Sequence, residues 1–108
     1  MGAMPEGPEI RRAADDVAKV LVGRRIVQAE FDVPALRAFE SRVKGHSVTA
    51  IDTRGKAMLT RFDNGLVMYS HNQLYGRWFA VRRGEEPQTN RQLRVGLHTR
   101  SHSALLYS

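Results

Sequence analysis

The residues best suited to chemistry come almost at once: Met4-Pro5-Glu6-Gly7-Pro8-Glu9. Proline alone among the residues offers a secondary amine when its nitrogen is free. Released from the methionine before it, Pro5 could attack a sugar C1′ and form an iminium (Schiff base) without a metal or an activated serine. An α-amino group titrates near pH ~8, which leaves a usable neutral fraction at neutral pH. Glu6, next in the chain, could take up or return a proton. The same residues also have a plain structural use. A proline at a helix entry with acids in the first turn is a helix-start signal, and on the hexapeptide alone that reading is favoured.

Two further stretches carry polar chemistry. Arg54-Gly55-Lys56 falls at a turn between two strand-like segments. Lys56 could hold a phosphate there, although a hairpin charge is more often simply solvated. Gly55 fits a tight turn or a close backbone approach. The second stretch is His71-Asn72-Gln73-Leu74-Tyr75-Gly76. It sets Leu74 and Tyr75 beside hydrogen-bonding side chains in a loop. Apolar wedges of this kind can enter a base stack, and enzymes that extrude a base leave a gap to be filled. Packing of Leu74 and Tyr75 under the loop is an equally good reading.

His98 and His102 are four apart in a strand-and-turn segment, and the chain has no cysteine. No metal site is read from them. Arg82-Arg83, Arg91 and Arg94 read as solvated faces, some of them able to track phosphates.

The chain has 108 residues, 42% of them hydrophobic, which fits one domain with a modest core. No apolar run approaches the roughly 18 residues of a membrane span, and the charged start does not read as a secretory signal. Seventeen Lys and Arg against eleven Asp and Glu give a net charge of +6. A polyanionic partner follows from that balance.

The elements that must position these residues can be read from periodicity. Ile10, Ala13, Ala14, Val17, Val20 and Leu21 recur at helical spacing over residues 8–22, and Gly23 ends the run. Strands follow. An irregular one holds Ile26, Ala29, Phe31 and Val33, and Pro34 breaks it. Residues 35–43 are a short helix or loop. Further strands are expected around 48–52, 57–62, 66–70, 78–82, 91–99 and 104–107. Asn64-Gly65 predicts a type I′ hairpin. One helix and about seven short strands predict a mainly β (α+β) fold, a two-sheet antiparallel sandwich flanked by the N-terminal helix.

Pro5-Glu6-Gly7-Pro8-Glu9, Arg54-Gly55-Lys56 and Ser70-His71-Asn72-Gln73-Leu74-Tyr75-Gly76 together resemble the formamidopyrimidine-DNA glycosylase and endonuclease VIII family. Gly84-Glu85-Glu86-Pro87-Gln88-Thr89 is similar to the bacterial endonuclease VIII branch. The resemblance runs from Met4 to Ser108. It implies a bifunctional glycosylase and abasic-site lyase of base-excision repair, acting on oxidised pyrimidines in double-stranded DNA. Pro5 would be the nucleophile, Glu6 the proton carrier that helps open the deoxyribose, and Lys56 a phosphate contact that supports catalysis. Gln73, Leu74 and Tyr75 would fill the gap left by the flipped nucleotide, and His71 would touch the DNA backbone. Strand cleavage would proceed by β- and δ-elimination. The parent enzyme would act as a monomer in the bacterial cytoplasm, at the nucleoid. It would need no small-molecule cofactor in this chain and would carry zinc in a C-terminal region.

Two departures bear on activity. Met1 to Met4 precede Pro5, of which residues 1–3 read as an expression remnant. Residues 4–108 read as the N-terminal catalytic domain, ending before the family's helix-two-turn-helix and zinc-finger region. The chain as written is therefore expected to be inactive. A non-catalytic lesion-binding module of the same fold, or a sandwich that reads nucleic-acid charge alone, are the competing readings. Lesion-dependent covalent trapping separates the first from both. Indifference to lesions would mark the last.

Overall fold

The computed structural model describes residues 6–71 and 76–108, with residues 6–8 as backbone. Helix α1 runs Glu6–Leu21. Its predicted apolar stripe is the buried one: Ile10, Ala14, Val17, Val20 and Leu21 are in the core, with Ala13 packed at its edge. Arg11, Arg12, Asp15, Asp16 and Lys19 face solvent. This is the division that a helix with one buried stripe requires. Gly23 ends the element at φ +80°, a conformation that costs glycine little. Its N–H turns away from the helix and donates to the Val48 carbonyl at 2.8 Å.

Strand β1 (Gln28–Phe31) is shorter than the periodicity implies. Pro34 opens a 3-10 segment, Pro34–Phe39, which runs into the one-turn helix α2, Glu40–Val43. Glu40 ties this segment back to β1 by accepting from the Phe31 N–H at 2.8 Å. Strands β2 (Val48–Arg54), β3 (Ala57–Phe62) and β4 (Val67–His71) form one antiparallel meander. Strands β5 (Arg77–Arg82), β6 (Leu93–His98) and β7 (His102–Tyr107) join β1 in a second antiparallel sheet of order β1-β6-β7-β5. The expected two-sheet sandwich with a flanking helix is the observed architecture. Helix α1 packs on β2, β5 and β7, and so closes the core from one side.

The β3–β4 hairpin corrects one expectation. Asn64 does not have positive φ; among the described residues only glycines do. The Gly65 N–H donates to the Phe62 carbonyl at 3.2 Å and the Phe62 N–H to the Leu66 carbonyl at 2.9 Å, with Gly65 at φ +90°. The loop is thus Asp63-Asn64-Gly65, a turn of type I geometry followed by a bulged glycine, not a two-residue I′ turn. Asn64 earns its place through its side chain. Its Oδ1 accepts from the Leu66 N–H at 3.1 Å and its Nδ2 donates to the Arg42 carbonyl at 2.8 Å.

The core gathers Leu21, Ile26, Phe31, Val48, Met58, Phe62, Trp78, Val95, Leu97 and Ala104 from α1 and both sheets. Two polar atoms sit inside it with no hydrogen-bond partner among the described residues, Thr60 Oγ1 and Trp78 Nε1.

Candidate nucleic-acid interface

The β2–β3 connection is as tight as Gly55 implies. Arg54 pairs with Ala57, which leaves Gly55 and Lys56 as a two-residue loop. Positive φ at Gly55 (+60°) alone is the pattern of a type II′ turn. This places Lys56 on the exposed tip of a short hairpin that the sheet holds on both sides. In the next register, Ala57 pairs with His71. Arg54, Ala57 and His71 therefore form one row across the end of the meander. His71 is exposed and stacks on Tyr69, with ring centroids 6.3 Å apart. Tyr69 is 63% exposed.

Helix α1 has its C-terminal end fixed at the start of β2, the strand end opposite Arg54, where Val22 bridges to Val48. Its last turns, through Asp16, Lys19 and Val20, share a cleft with Arg82 at the end of β5 and His102 at the start of β7. A 16-residue helix is about 24 Å long, so its first turn lies that far from the end held at the start of β2. Glu6 opens the helix, and the positive end of the helix dipole is directed there.

Arg77 starts β5 at this end, paired with Tyr107. Its guanidinium lies 4.9 Å from the Phe79 ring centroid, and Phe79 meets Tyr107 edge-on at 5.6 Å. Burial pushes the Tyr107 hydroxyl's pKa upward, and the Glu86 and Glu30 carboxylates add to the effect. Asp52, two residues before Arg54 in β2, is already bonded to Arg61 at 2.6 Å. The result is a basic, partly aromatic rim built from Arg54, Lys56, Tyr69, His71 and Arg77. Tyr69 and Arg77 escaped the sequence reading. Period-two register with His71 is the signal that would have found Tyr69.

Of the residues read from the sequence, Lys56 and His71 come to one end of the meander. Pro5, Gln73, Leu74 and Tyr75 lie outside the described residues, as does the Glu6 side chain. In sequence, Pro5 is bonded to the residue that opens α1, and Gln73 to Tyr75 belong to the segment joining β4 to β5. His98 and His102 lie elsewhere and have other partners. His98 sits between Glu30 Oε2 (2.7 Å from Nε2) and Ser103 Oγ (2.7 Å from Nδ1), and His102 Nδ1 lies 2.8 Å from Ser101 Oγ. Arg83 and Arg94 are not simply solvated. Arg83 donates to the Thr99 carbonyl and to Gln28 Oε1, both at 2.9 Å, and Arg94 to Ser108 Oγ at 3.1 Å. Among the described residues no three His, Asp or Glu side chains gather as a metal site.

A sequence profile of the formamidopyrimidine-DNA glycosylase N-terminal domain matches residues 4–108. The chain belongs to this family. It is 54% identical over 105 residues to the Endonuclease 8 of Escherichia coli O17:K52:H18 (strain UMN026), covering 97% of this chain and 40% of that protein. The Endonuclease 8 of Shigella flexneri gives the same identity and coverage. The chain thus spans about 40% of the length of these relatives. In fold it is similar to Lactococcus lactis Fpg, solved in complex with a FAPY-dG-containing DNA, with a TM-score of 0.80. That match is 15% identical in sequence and covers 94% of this chain and 39% of Fpg. A second L. lactis Fpg structure, bound to DNA with an abasic site, matches equally well at 0.80. These glycosylase-family neighbours share the sandwich on which the Lys56 row and the α1 N-terminus are placed.

Proposed function

We propose that this chain is the N-terminal catalytic domain of a DNA glycosylase and abasic-site lyase that removes oxidised pyrimidines in base-excision repair. What supports this reading is the register row that sets the Lys56 hairpin beside His71 at one end of the meander, in a chain 54% identical to Endonuclease 8.

The chemistry follows from the residue types. The Pro5 nitrogen attacks C1′ of the damaged nucleotide, and the C1′–base bond breaks. Glu6 returns a proton as the deoxyribose ring opens, and the nitrogen lone pair closes an iminium to C1′. The iminium acidifies the C2′ proton. Its removal expels the 3′ phosphate (β-elimination), and a second elimination expels the 5′ phosphate. Lys56, a flexible point charge, neutralises a phosphate beside the reacting sugar. Gln73, Leu74 and Tyr75 occupy the stack while the nucleotide is out, since extrusion costs a few kcal/mol of stacking. His71 contacts the DNA backbone. The partner is damaged double-stranded DNA, the enzyme is a monomer, and its setting is the bacterial cytoplasm. With no cysteine in this chain, a family zinc would need ligands from a C-terminal region, and no step above passes through it.

Catalysis requires a free Pro5. While Met4 is bonded to it, its nitrogen is an amide and forms no iminium. The test compares protein beginning at Pro5 with protein beginning at Met1, each incubated with borohydride and a duplex carrying one oxidised pyrimidine. A covalent protein–DNA adduct is expected only with the Pro5 start. Equal trapping by both would show that the nucleophile is another amine. No trapping by either, with binding to the lesion retained, would leave a recognition module without lyase chemistry.

A further inference from the structure

The end of the sandwich away from Lys56 holds a second basic feature. A cleft of about 470 Å³ is lined by Arg24, Arg25, Val27, Thr99, Arg100 and Ser101. Arg25 bridges to Ser47, next to the first residue of β2, whereas Arg54 is its last residue and Lys56 lies just beyond. At ~3.3 Å per residue the two ends are roughly 20 Å apart.

The cleft has two walls, and both are braced. One is the β6–β7 turn. Thr99 is buried, and its hydroxyl accepts from the His102 N–H at 3.0 Å and the Ser101 N–H at 3.3 Å. Arg83 clamps the Thr99 carbonyl from outside and donates its own N–H to the Ser101 carbonyl at 2.9 Å. Arg100 stands at the tip of this fixed turn, exposed. The other wall is the segment leaving α1, which carries Arg24 and Arg25. Arg24 Nη1 donates to Ser101 Oγ at 3.1 Å and ties the walls together.

Charge is what the site lacks a partner for. Among the described residues no carboxylate lies within ion-pair distance of Arg24, Arg25 or Arg100. The nearest influence is Asp63, whose carboxyl feels Arg25 but is held by His46 and Ser47. The C-terminal end of α1 contributes about half a negative charge, too little to offset three guanidinium groups. Repulsion among three neighbouring arginines is relieved by an anion with several acceptor oxygens, and guanidinium matches phosphate by bidentate hydrogen bonds.

We propose that this cleft is a second phosphate-binding site that takes the backbone of a nucleic-acid strand, independently of the Lys56 end. The three arginines are exposed on an open surface, a form suited to a strand passing across it. A small phosphate compound would gain more from enclosure. The proposal rests on the reading above only in naming nucleic acid as the polyanion.

The test measures equilibrium binding of an undamaged 12-base-pair duplex at several salt concentrations. Arg25→Ala/Arg100→Ala is the variant, because it spares the Arg24–Ser101 bond. Arg37→Ala/Arg42→Ala removes the same charge from another surface. Losing two phosphate contacts should flatten the slope of log K against log salt by about 1.8 in the cleft variant, with less than half that change in the control. Equal flattening in both would mean that bulk charge alone is sensed and would overturn the site. So would no change in either. Titration with inorganic pyrophosphate separates the sources. Tight pyrophosphate binding that the cleft variant loses, with an unchanged duplex slope, would assign the cleft to a small phosphate ligand and overturn the nucleic-acid proposal. Thermal unfolding of both variants confirms that the fold persists. Borohydride trapping at Pro5 is read separately, so failure of the catalytic reading and failure of this site are distinguishable.

Discussion

Single residues of this domain mark where polar chemistry is satisfied and where it is not. Asp63 accepts the Ser47 N–H at 3.2 Å and faces His46 Nδ1 at 2.7 Å. The backbone bond, then the histidine, hold its carboxyl below the ordinary 3.8. A carboxyl depressed in the fold contributes stability that is present above its unfolded pKa and lost as pH falls through the folded value. Asp63→Asn should therefore lower the thermal midpoint at neutral pH and lose that effect in acid below pH 3.8. A gap that stays constant into acid would show that the carboxylate charge plays no part. Thr60 is the opposite case. Its hydroxyl is buried with no partner among the described residues. Thr60→Val keeps the branched shape and should raise stability by roughly 1 kcal/mol, read as a shift in urea midpoint. Neither residue was legible as sequence. Thr60 sits in an ordinary strand pattern, and the partners of Asp63 lie 16 and 17 residues away.

At the scale of elements the sequence was more open. The helix stripe from Ile10 to Leu21 is local information, because period 3.6 needs no partner to be recognised. So is the strand Ala57–Phe62, which falls between two turn signals. The hairpin at Asn64-Gly65 was visible but its geometry was not. Whether Asn64 adopts positive φ depends on which residues of the flanking strands pair, and pairing is not written locally. Gly96 makes the same point within β6. It pairs with Glu30, and a Cβ there would lie 2.8 Å from Glu30 Cγ and 3.0 Å from His98 Nε2. The absent side chain is the space in which the Glu30–His98 bond forms. Gly96→Ala should cost about 1–3 kcal/mol as an overpacked site, and the His98 ring resonances should shift with loss of its Glu30 contact. An alanine variant with unchanged stability and spectrum would mean that Glu30 swings aside freely.

For the whole molecule, the decisive fact is that its two basic ends were not equally readable. Lys56 and His71 stood out because their motifs are contiguous. Arg24, Arg25 and Arg100 are separated by most of the chain and meet only because β1, β6 and β7 are neighbours in one sheet. The two ends also make different demands on a ligand. At the Lys56 end, the proposed function asks the lysine charge to act beside a reacting sugar. Lys56→Ala should lower the rate of borohydride trapping by the Pro5-start protein tenfold to a hundredfold, the loss of one charge-assisted contact of roughly 1.5–3 kcal/mol. The exposed hairpin tip should unfold at nearly the same midpoint as before, since solvated ion contacts contribute about 0–1 kcal/mol. Combined with Arg25→Ala/Arg100→Ala, the duplex-binding losses should add to within about 0.5 kcal/mol, because sites this far apart share no partners. The double-mutant cycle decides how the protein uses its charge. Additive losses mean two surfaces engaging DNA independently, whereas strong coupling would mean that one strand or one conformational change links them, and the cleft would then be part of the catalytic grip.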